Sequence, residues 1–323
     1  MSRSAQLVER ILQGDRRAAA RAISLLENHA PEARAIAEGL AGHRGKSFRV
    51  GITGPPGAGK STLVDGLARE LRKRDRTVGV VAVDPSSPFS GGALLGDRVR
   101  MGRALEDPGV FVRSMASRGT MGGLARSAQE AADVLDALGK DWLILETVGV
   151  GQSELAVAAA CDVTVVVLVP EAGGAVQAMK AGLMEIADLF VVNKSDRPGA
   201  DEMVAQLRET AHYLDREGWK VPILKVIAIQ EQGLEALLDR LESYRAWLQE
   251  GERLEEKRLR QAALRIRDLV RARLEERLWF DPEVDAVVQE NARHVLAGQL
   301  AVHQAAINVW GTVRERLTKL EGI

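Results

Sequence analysis

Seven short apolar runs rich in β-branched residues are the feature that most constrains the fold of this 323-residue chain. They alternate with helical patterns, and several are apolar at every position rather than at every second one. Strands of that kind are covered on both faces, and helical crossovers between them require parallel neighbours. We therefore predict an α/β fold with a mostly parallel central sheet flanked by helices. The predicted strands are Phe48–Thr53, Val78–Asp84, Val110–Arg113, Trp142–Thr147, Val163–Val169, Leu189–Asn193 and Ile223–Ile227.

Helical patterns also flank this region on both sides. We expect an N-terminal helical arm at residues 1–46, an α/β domain at 47–246 and a C-terminal helical region at 247–323. Residues 251–280 hold nine basic and six acidic side chains around an apolar stripe. The stripe either packs on its own domain or pairs with another chain, and the sequence leaves both interpretations open. Its members are Leu259, Ala263, Ile266, Val270 and Leu274.

Composition excludes several classes of function. The 44 Lys and Arg residues balance 45 Asp and Glu residues, and aromatic residues make up only 4%, so we expect no nucleic-acid partner. A single cysteine, Cys161, excludes an intramolecular disulfide framework and a cysteine-rich metal site. The best apolar run, Val163–Val169, is far shorter than the ~20 residues of a spanning helix. With no secretory pattern at the N-terminus, we expect a cytoplasmic protein without a membrane partner.

A phosphate-binding loop follows the first predicted strand and precedes a helical segment. The sequence fits G-x-x-x-x-G-K-[ST] in the strand–loop–helix context that this motif requires. Its glycines let backbone amides turn toward phosphate oxygens, its lysine supplies a charge to the β- and γ-phosphates, and its serine can bind Mg²⁺. The loop residues are Gly54, Pro55, Pro56, Gly57, Ala58, Gly59, Lys60 and Ser61, and Thr62 follows.

Carboxylates for a metal ion lie at the ends of two other predicted strands. Asp84 and Glu146 each occur where a strand reaches the carboxyl edge of the sheet. Ligands bind at that edge in open α/β sheets, and carboxylate oxygens suit Mg²⁺. We expect both residues to contribute to a magnesium site.

A second motif indicates which base the nucleotide carries. Asn193, Lys194 and Asp196 form N-K-x-D directly after an apolar strand. The Asp196 carboxylate can accept hydrogen bonds from the N1–H and the exocyclic amine of guanine, a donor pair that adenine lacks. The Asn193 side chain can contact base N7 or tie loops together, and the Lys194 stem can cover the ring. We therefore predict GTP and GDP as ligands.

With these residues in place, the chain resembles the MeaB/ArgK-type P-loop GTPases, which are chaperones of cobalamin-dependent acyl-CoA mutases. The resemblance extends from the N-terminal helices to at least residue 235. The matching motifs are Gly54–Thr62, Asp84-Pro-Ser-Ser-Pro-Phe-Ser-Gly-Gly, Leu95-Gly-Asp97-Arg, Arg113-Ser with Arg118-Gly-Thr-Met-Gly-Gly123, Glu146-Thr-Val-Gly-Val-Gly-Gln-Ser-Glu154, and Gln177 through Asp196.

The resemblance implies further roles. Ser61, Asp84 and Asp97 would hold or orient Mg²⁺, and Glu146 would replace the usual aspartate of D-x-x-G. Gly149 would donate its N–H to the γ-phosphate, and Glu154 would lie in the second switch. Residues 171–180 would form a third switch that meets an adenosylcobalamin-dependent acyl-CoA mutase. The C-terminal helices would form a homodimer, and a cobalamin adenosyltransferase is a further candidate partner.

Two positions depart from the family pattern. Gly173-Gly174 stands where the third switch has Gly-Asp, which removes a carboxylate from the expected partner surface. Ile227-Ala228 stands where the last guanine motif has Ser-Ala, so the serine hydroxyl is absent. We expect the Ala228 backbone N–H to reach guanine O6 in its place.

The sequence does not identify the residue that orients the attacking water, and it is compatible with other functions. Val150 stands where a Ras-like pattern has its water-orienting glutamine, so we expect slow hydrolysis that a partner accelerates. Arginines 98, 113 and 118 are candidates for a charge-stabilising role in cis. A metal-insertion GTPase and a P-loop kinase of a small molecule are the alternative functions.

Overall fold

The computed structural model describes residues 2–85, 104–117, 121–147, 160–172, 184–216 and 218–318. Its centre is a sheet of seven strands, and every strand coincides with a predicted run to within a few residues. The strands are β1 (Phe48–Thr53), β2 (Val78–Pro85), β3 (Val110–Ser117), β4 (Trp142–Glu146), β5 (Val163–Leu168), β6 (Leu189–Asn193) and β7 (Ile223–Val226).

All neighbouring strands run parallel, in the order β3-β2-β4-β1-β5-β6-β7. The prediction of a mostly parallel α/β sheet is therefore confirmed. Strand β1 lies in the middle, with β4 on one side and β5 on the other. The chain continues from β1 toward β2 on one side and from β5 toward β6 on the other, so the strand order reverses between β1 and β5, the position where open α/β sheets bind ligands at the carboxyl ends of their strands.

One face of the sheet is covered by α4 (Lys60–Lys73), α6 (Ala200–Ala211) and α7 (Leu234–Gln249). Helix α4 buries nine of its residues, including Leu63, Leu67 and Leu71 at helical spacing. Together with strand residues such as Val50 and Ile52, these helices form one apolar cluster. The phosphate-loop helix is thus fixed by its packing along its whole length.

The other face is covered by the N-terminal helices and by α5 (Met121–Ala137). The arm forms α1 (Arg3–Leu12), α2 (Arg16–Glu27) and α3 (Ala33–Leu40). Their apolar faces, centred on Ile11, Ile23 and Ile36, are fully buried in a cluster that includes β2, β3 and β4. The N-terminal helices therefore complete the core of the α/β layer.

A buried carboxylate fixes the chain where the arm enters β1. Asp136 at the end of α5 accepts hydrogen bonds from the backbone N–H groups of Gly45 and Ser47 at 2.7 and 3.0 Å. The Ser47 hydroxyl and the Arg49 guanidinium donate to it as well, at 2.9 and 3.2 Å. The Lys46 backbone N–H donates to it at 3.1 Å, so five donors compensate the burial of this carboxylate and set the start of the central strand.

The chain divides into two compact units, Met1–Lys257 and Arg258–Ile323. The second unit contains most of α8 (Arg253–Trp279), together with α9 (Pro282–Leu296) and α10 (Val302–Thr318). Several residues of the predicted stripe on α8 are exposed in the single chain, among them Leu259 at 70%, Ile266 at 61% and Val270 at 54%. None of the described helices is long and apolar enough to cross a membrane.

The amino ends of β5 and β6 are joined through a second buried carboxylate, Asp188. It accepts hydrogen bonds from the Thr164 backbone N–H at 2.8 Å and from the Tyr244 hydroxyl at 2.7 Å. Lys257 lies 3.1 Å away, and Arg216 forms an ion pair with the same group. Burial alone would raise the pKa of Asp188, but the charges of Lys257 and Arg216 outweigh it and lower that pKa.

We expect Asp188→Asn to lower the free energy of unfolding by about 3 kcal/mol at neutral pH, because it leaves the cations without their buried counter-charge. A lowered carboxyl pKa contributes stability above the ordinary value and loses it as the pH falls through the folded-state pKa. The difference between variant and wild type should therefore persist at neutral pH and narrow as the pH falls below the ordinary carboxyl pKa. Urea unfolding over a series of decreasing pH values measures it.

Asp239→Asn is the matched control for this experiment, since Asp239 forms an exposed ion pair with Arg74. Its effect should stay below about 1 kcal/mol. A loss at Asp188 no larger than at Asp239 would contradict the structural role of the buried carboxylate.

Candidate nucleotide-binding site

The phosphate loop lies at the carboxyl end of β1, between that strand and α4. Gly54, Gly57 and Gly59 have φ angles of +143°, +77° and +83°, a region that L side chains rarely adopt. A Cβ atom at Gly54 would collide with the Val167 carbonyl of β5. At Gly59 it would collide with the Asn193 side-chain amide. Two of the three glycines are therefore required by close approach as well as by backbone conformation.

The polar side chains that follow the loop are buried and bonded. The Lys60 ammonium donates to the carbonyls of Gly54 and Pro55 at 2.8 and 3.0 Å, which holds it against the loop. The Ser61 hydroxyl donates to Glu146 Oε1 of β4 at 2.7 Å, and both side chains are buried. A serine hydroxyl and a carboxylate in contact beside a phosphate loop are the hard oxygen donors that Mg²⁺ takes as ligands.

One side chain, Asn193, joins three loops at the same edge of the sheet. Its amide nitrogen donates to the Ala58 carbonyl of the phosphate loop at 2.8 Å. Its carbonyl oxygen accepts from the Ala228 backbone N–H after β7 at 3.0 Å. Of the two roles predicted for Asn193, the structure shows the tie between loops. The N-K-x-D segment is therefore held beside the phosphate loop.

The other two residues of this motif lie on the exposed side of the junction. Lys194 has a positive φ of +55°, and its ammonium reaches the Gly57 carbonyl at 2.8 Å. Its stem thus crosses from the N-K-x-D loop to the phosphate loop. Asp196 is exposed, so its carboxylate is accessible to a ligand.

The Ala228 backbone N–H donates to the Asn193 side chain. Its predicted hydrogen bond to guanine O6 stays a prediction. The loop from Ile227 to Gln232 closes on itself through a pair of backbone hydrogen bonds between these two residues. Ala228 is buried within it, so in this arrangement its amide supports the junction.

Several predicted residues lie outside the described part of the chain. These are Asp97, Gly149, Glu154, Val150, the third switch beyond residue 172, both members of Gly173-Gly174, and arginines 98 and 118. Asp84 is the last residue but one of β2, close to its predicted position at the strand end, but its side chain is outside the description. Their roles stay predictions.

Arg113 is described, and its contacts differ from a catalytic role. Its guanidinium donates to Glu27 of α2 at 2.7 Å and to the Ser24 hydroxyl at 3.1 Å. Both partners belong to the N-terminal arm, so this arginine links the arm to β3. The structure therefore places it in packing between layers.

A chain of polar contacts across α4 had no signal in the sequence. Asp65 and Arg69 form an ion pair one helical turn apart, at 3.1 Å. Arg69 also pairs with Glu231 in the loop after β7, at 2.5 Å. Asp65 accepts from the Ala104 backbone N–H at 3.0 Å. Residues as far apart as 69 and 231 carry no shared motif, so only the fold reveals the contact.

These features define a class of protein. A parallel sheet with the phosphate loop after its central strand is the fold of the P-loop nucleoside triphosphatases. Because Asn193 holds an N-K-x-D segment against that loop, the arrangement within this class is that of a P-loop GTPase.

Comparison with known proteins identifies the family. The family model described as "Methylmalonyl Co-A mutase-associated GTPase MeaB" matches residues 19–283. A relative from Pyrococcus abyssi is 48% identical over 272 residues, which cover 82% of this chain and 83% of that protein. The mitochondrial methylmalonic aciduria type A homolog of Mus musculus is 33% identical over 318 residues, or 92% of this chain and 76% of the mouse protein.

The fold has a solved counterpart. The crystal structure of a LAO/AO transport system kinase aligns with a TM-score of 0.75 and 26% identity, covering 97% of this chain and 99% of the other. The protein is a P-loop GTPase and belongs to the MeaB family, as the sequence motifs indicated.

We expect Gly59→Ala to destabilise the protein more than Gly57→Ala. Both substitutions force alanine into a left-handed conformation, at a cost of about 1–2 kcal/mol. Gly59→Ala also breaks the Asn193 hydrogen bonds, which adds about 1–3 kcal/mol, whereas nothing lies within 4 Å of a Cβ at Gly57. Urea unfolding of the two variants without added nucleotide measures the difference, and equal losses would contradict it.

Proposed function

We propose that this GTPase is a chaperone of an adenosylcobalamin-dependent acyl-CoA mutase, where it gates cofactor loading and protects or reactivates the enzyme. The observation that carries the nucleotide part is the Asn193 junction, which holds the guanine motif against the phosphate loop. The mutase part is supported by the description of the family model and by the name of the mouse relative.

In this proposal the phosphates lie on the Gly54–Ser61 loop. Backbone amides and the amino end of α4 face the phosphate oxygens. The Lys60 ammonium exchanges its loop carbonyls for β- and γ-phosphate oxygens, which neutralises charge as the bond to the γ-phosphate breaks. When bound, Mg²⁺ would supply further charge neutralisation between the phosphates. The residues that would hold it are Ser61 and Glu146, joined by Asp84 and Asp97 directly or through water.

The base is selected at the other side of the junction. Asp196 accepts from the N1–H and the exocyclic amine of guanine, and the Lys194 stem covers the ring. Adenine would leave the carboxylate without this donor pair, which is unfavourable for binding. Asn193 and Ala228 fix the position of this recognition loop relative to the phosphates.

The nucleotide then acts as a timer. GTP holds the switch segments in one arrangement, and hydrolysis releases them, as in other GTPases. Gly149 and Glu154 take part in that change, and residues 171–180 contact the mutase. The exposed apolar stripe on α8 supports a homodimer formed through the C-terminal helices. A cobalamin adenosyltransferase would supply the cofactor that the mutase receives.

We expect Asp196→Asn to weaken GDP binding by about 10- to 100-fold, because a charged hydrogen-bond acceptor for two guanine donors is lost. The same variant should gain affinity for xanthosine diphosphate, whose base presents an acceptor at the altered position. Isothermal titration with GDP, ADP and xanthosine diphosphate tests this. Unchanged preference for guanine would refute the base-recognition assignment.

We expect slow single-turnover hydrolysis of GTP by the protein alone, and faster hydrolysis when the client mutase orders the switches. Methylmalonyl-CoA mutase with adenosylcobalamin is the probe, and bovine serum albumin is the control protein. Acceleration by the mutase alone supports the chaperone function. A fast rate independent of the mutase would contradict it, and transfer of phosphate to a small molecule instead of water would favour the kinase alternative.

A further inference from the structure

A strained residue lies in the loop that borders the guanine site. Glu231 has φ +61° and ψ +14°, the left-handed conformation that non-glycine residues avoid. It ends the short 3₁₀ turn Ala228–Gln230, and its N–H donates to the Ala228 carbonyl at 3.2 Å. Backbone strain of this kind persists only where the surroundings hold it.

Arg69 of α4 forms an ion pair with the strained residue. Its Nη1 atom donates to Glu231 Oε1 at 2.5 Å, and the pair is partly buried, with side-chain exposures of 24% and 35%. The same guanidinium uses Nε to bind Asp65 at 3.1 Å, and Asp65 in turn accepts from the Ala104 N–H. The buried Asp65 carboxylate therefore orients the Arg69 guanidinium through Nε, which leaves Nη1 directed at Glu231.

A shift of the Glu231 backbone would displace the neighbouring residues that support base recognition. Only the 3₁₀ turn separates it from Ile227, and Ala228 at the start of that turn donates its N–H to Asn193. On the other side, Gly233 at φ +79° packs against the Lys225 carbonyl, where a Cβ would lie at 2.5 Å. The loop from Ala228 to Gly233 therefore contacts Asn193 at its first residue and the Lys225 carbonyl at its last, and Arg69 contacts Glu231 between them.

We propose that the Arg69–Glu231 ion pair is a positioning device for guanine recognition. It holds Glu231 in the left-handed conformation and so keeps the Ala228 amide on Asn193, although neither charged side chain contacts the nucleotide. This inference rests on the proposed binding of guanine nucleotides at the junction. Glycine adopts the same φ without strain, so a glycine at position 231 needs no ion pair to keep the loop in place.

Four variants of the full-length protein test the proposal: Glu231→Ala, Glu231→Gly, Arg69→Met and the double variant Arg69→Met/Glu231→Gly. Isothermal titration with GDP and with ADP gives the ratio of the two affinities. Glu231→Ala and Arg69→Met should weaken GDP binding about five- to tenfold and reduce the preference for GDP over ADP. Glu231→Gly should retain wild-type affinity and preference, and adding Arg69→Met to it should cause no further loss.

Arg74→Met is the matched control. Arg74 directly follows α4 and forms ion pairs with Asp239 and Glu242 of α7, away from the loop at Glu231. It should leave GDP affinity unchanged. Wild-type affinity in Glu231→Ala would overturn the proposal. Equal loss in Glu231→Ala and Glu231→Gly would also overturn it, because the carboxylate would then act by another route than by holding the backbone.

The outcomes separate this inference from the proposed function. If the wild-type protein shows no preference for GDP over ADP, the guanine assignment fails before any variant is compared. If the preference is present and depends on Asp196 but not on Arg69 or Glu231, only the positioning role fails. Thermal melting of each variant without nucleotide shows whether a loss of affinity accompanies a loss of folding.

Discussion

The hydrogen bonds of one buried amide, Asn193, hold the site together. Its donor and acceptor ends bind the phosphate loop and the loop after β7, which are 135 and 35 residues away in sequence. A carboxylate or an aliphatic side chain there would satisfy one loop at most, because a carboxylate only accepts and an aliphatic side chain does neither, whereas the amide carries both a donor and an acceptor. The phosphate loop, the N-K-x-D segment and the loop after β7 are therefore joined at Asn193, and Lys194 adds a second link to the phosphate loop at Gly57.

The packing of the helices and the sheet fixes the positions of the loops that Asn193 connects. Helix α4 is packed along its length and presents the phosphate loop at one end. Asp136 sets the start of β1 from the opposite face, and Asp188 joins the starts of β5 and β6. The two carboxylates lie at the amino edge of the sheet, while the site lies at the carboxyl edge. The buried carboxylates that stabilise the fold and the residues of the nucleotide site therefore lie at opposite ends of the same strands.

The sequence predicted the sheet well because continuous β-branched runs and strand–loop–helix motifs are local signals. All seven strands were found, although β3 continues to Ser117 because it pairs with β2 along its whole length. The phosphate loop and the position of N-K-x-D were equally readable. The contact of the Ala228 amide with Asn193 and the ion pair of Arg113 with Glu27 could not be predicted, because they join residues that are distant in sequence. Nor does any local pattern predict a glutamate in the left-handed region at position 231, since its conformation depends on a distant arginine.

The two glycine contacts in the phosphate loop also constrain when the loop can form. Gly54 lies against a carbonyl of β5, and Gly59 lies against Asn193 at the end of β6. As the ribosome adds residues in order, the motif at 54–61 emerges more than a hundred residues before these neighbours. Its native shape must await the pairing of β5 and β6 beside β1, so contacts of high sequence separation delay it. A nascent chain therefore acquires the capacity to bind nucleotide late, after most of the sheet has been synthesised.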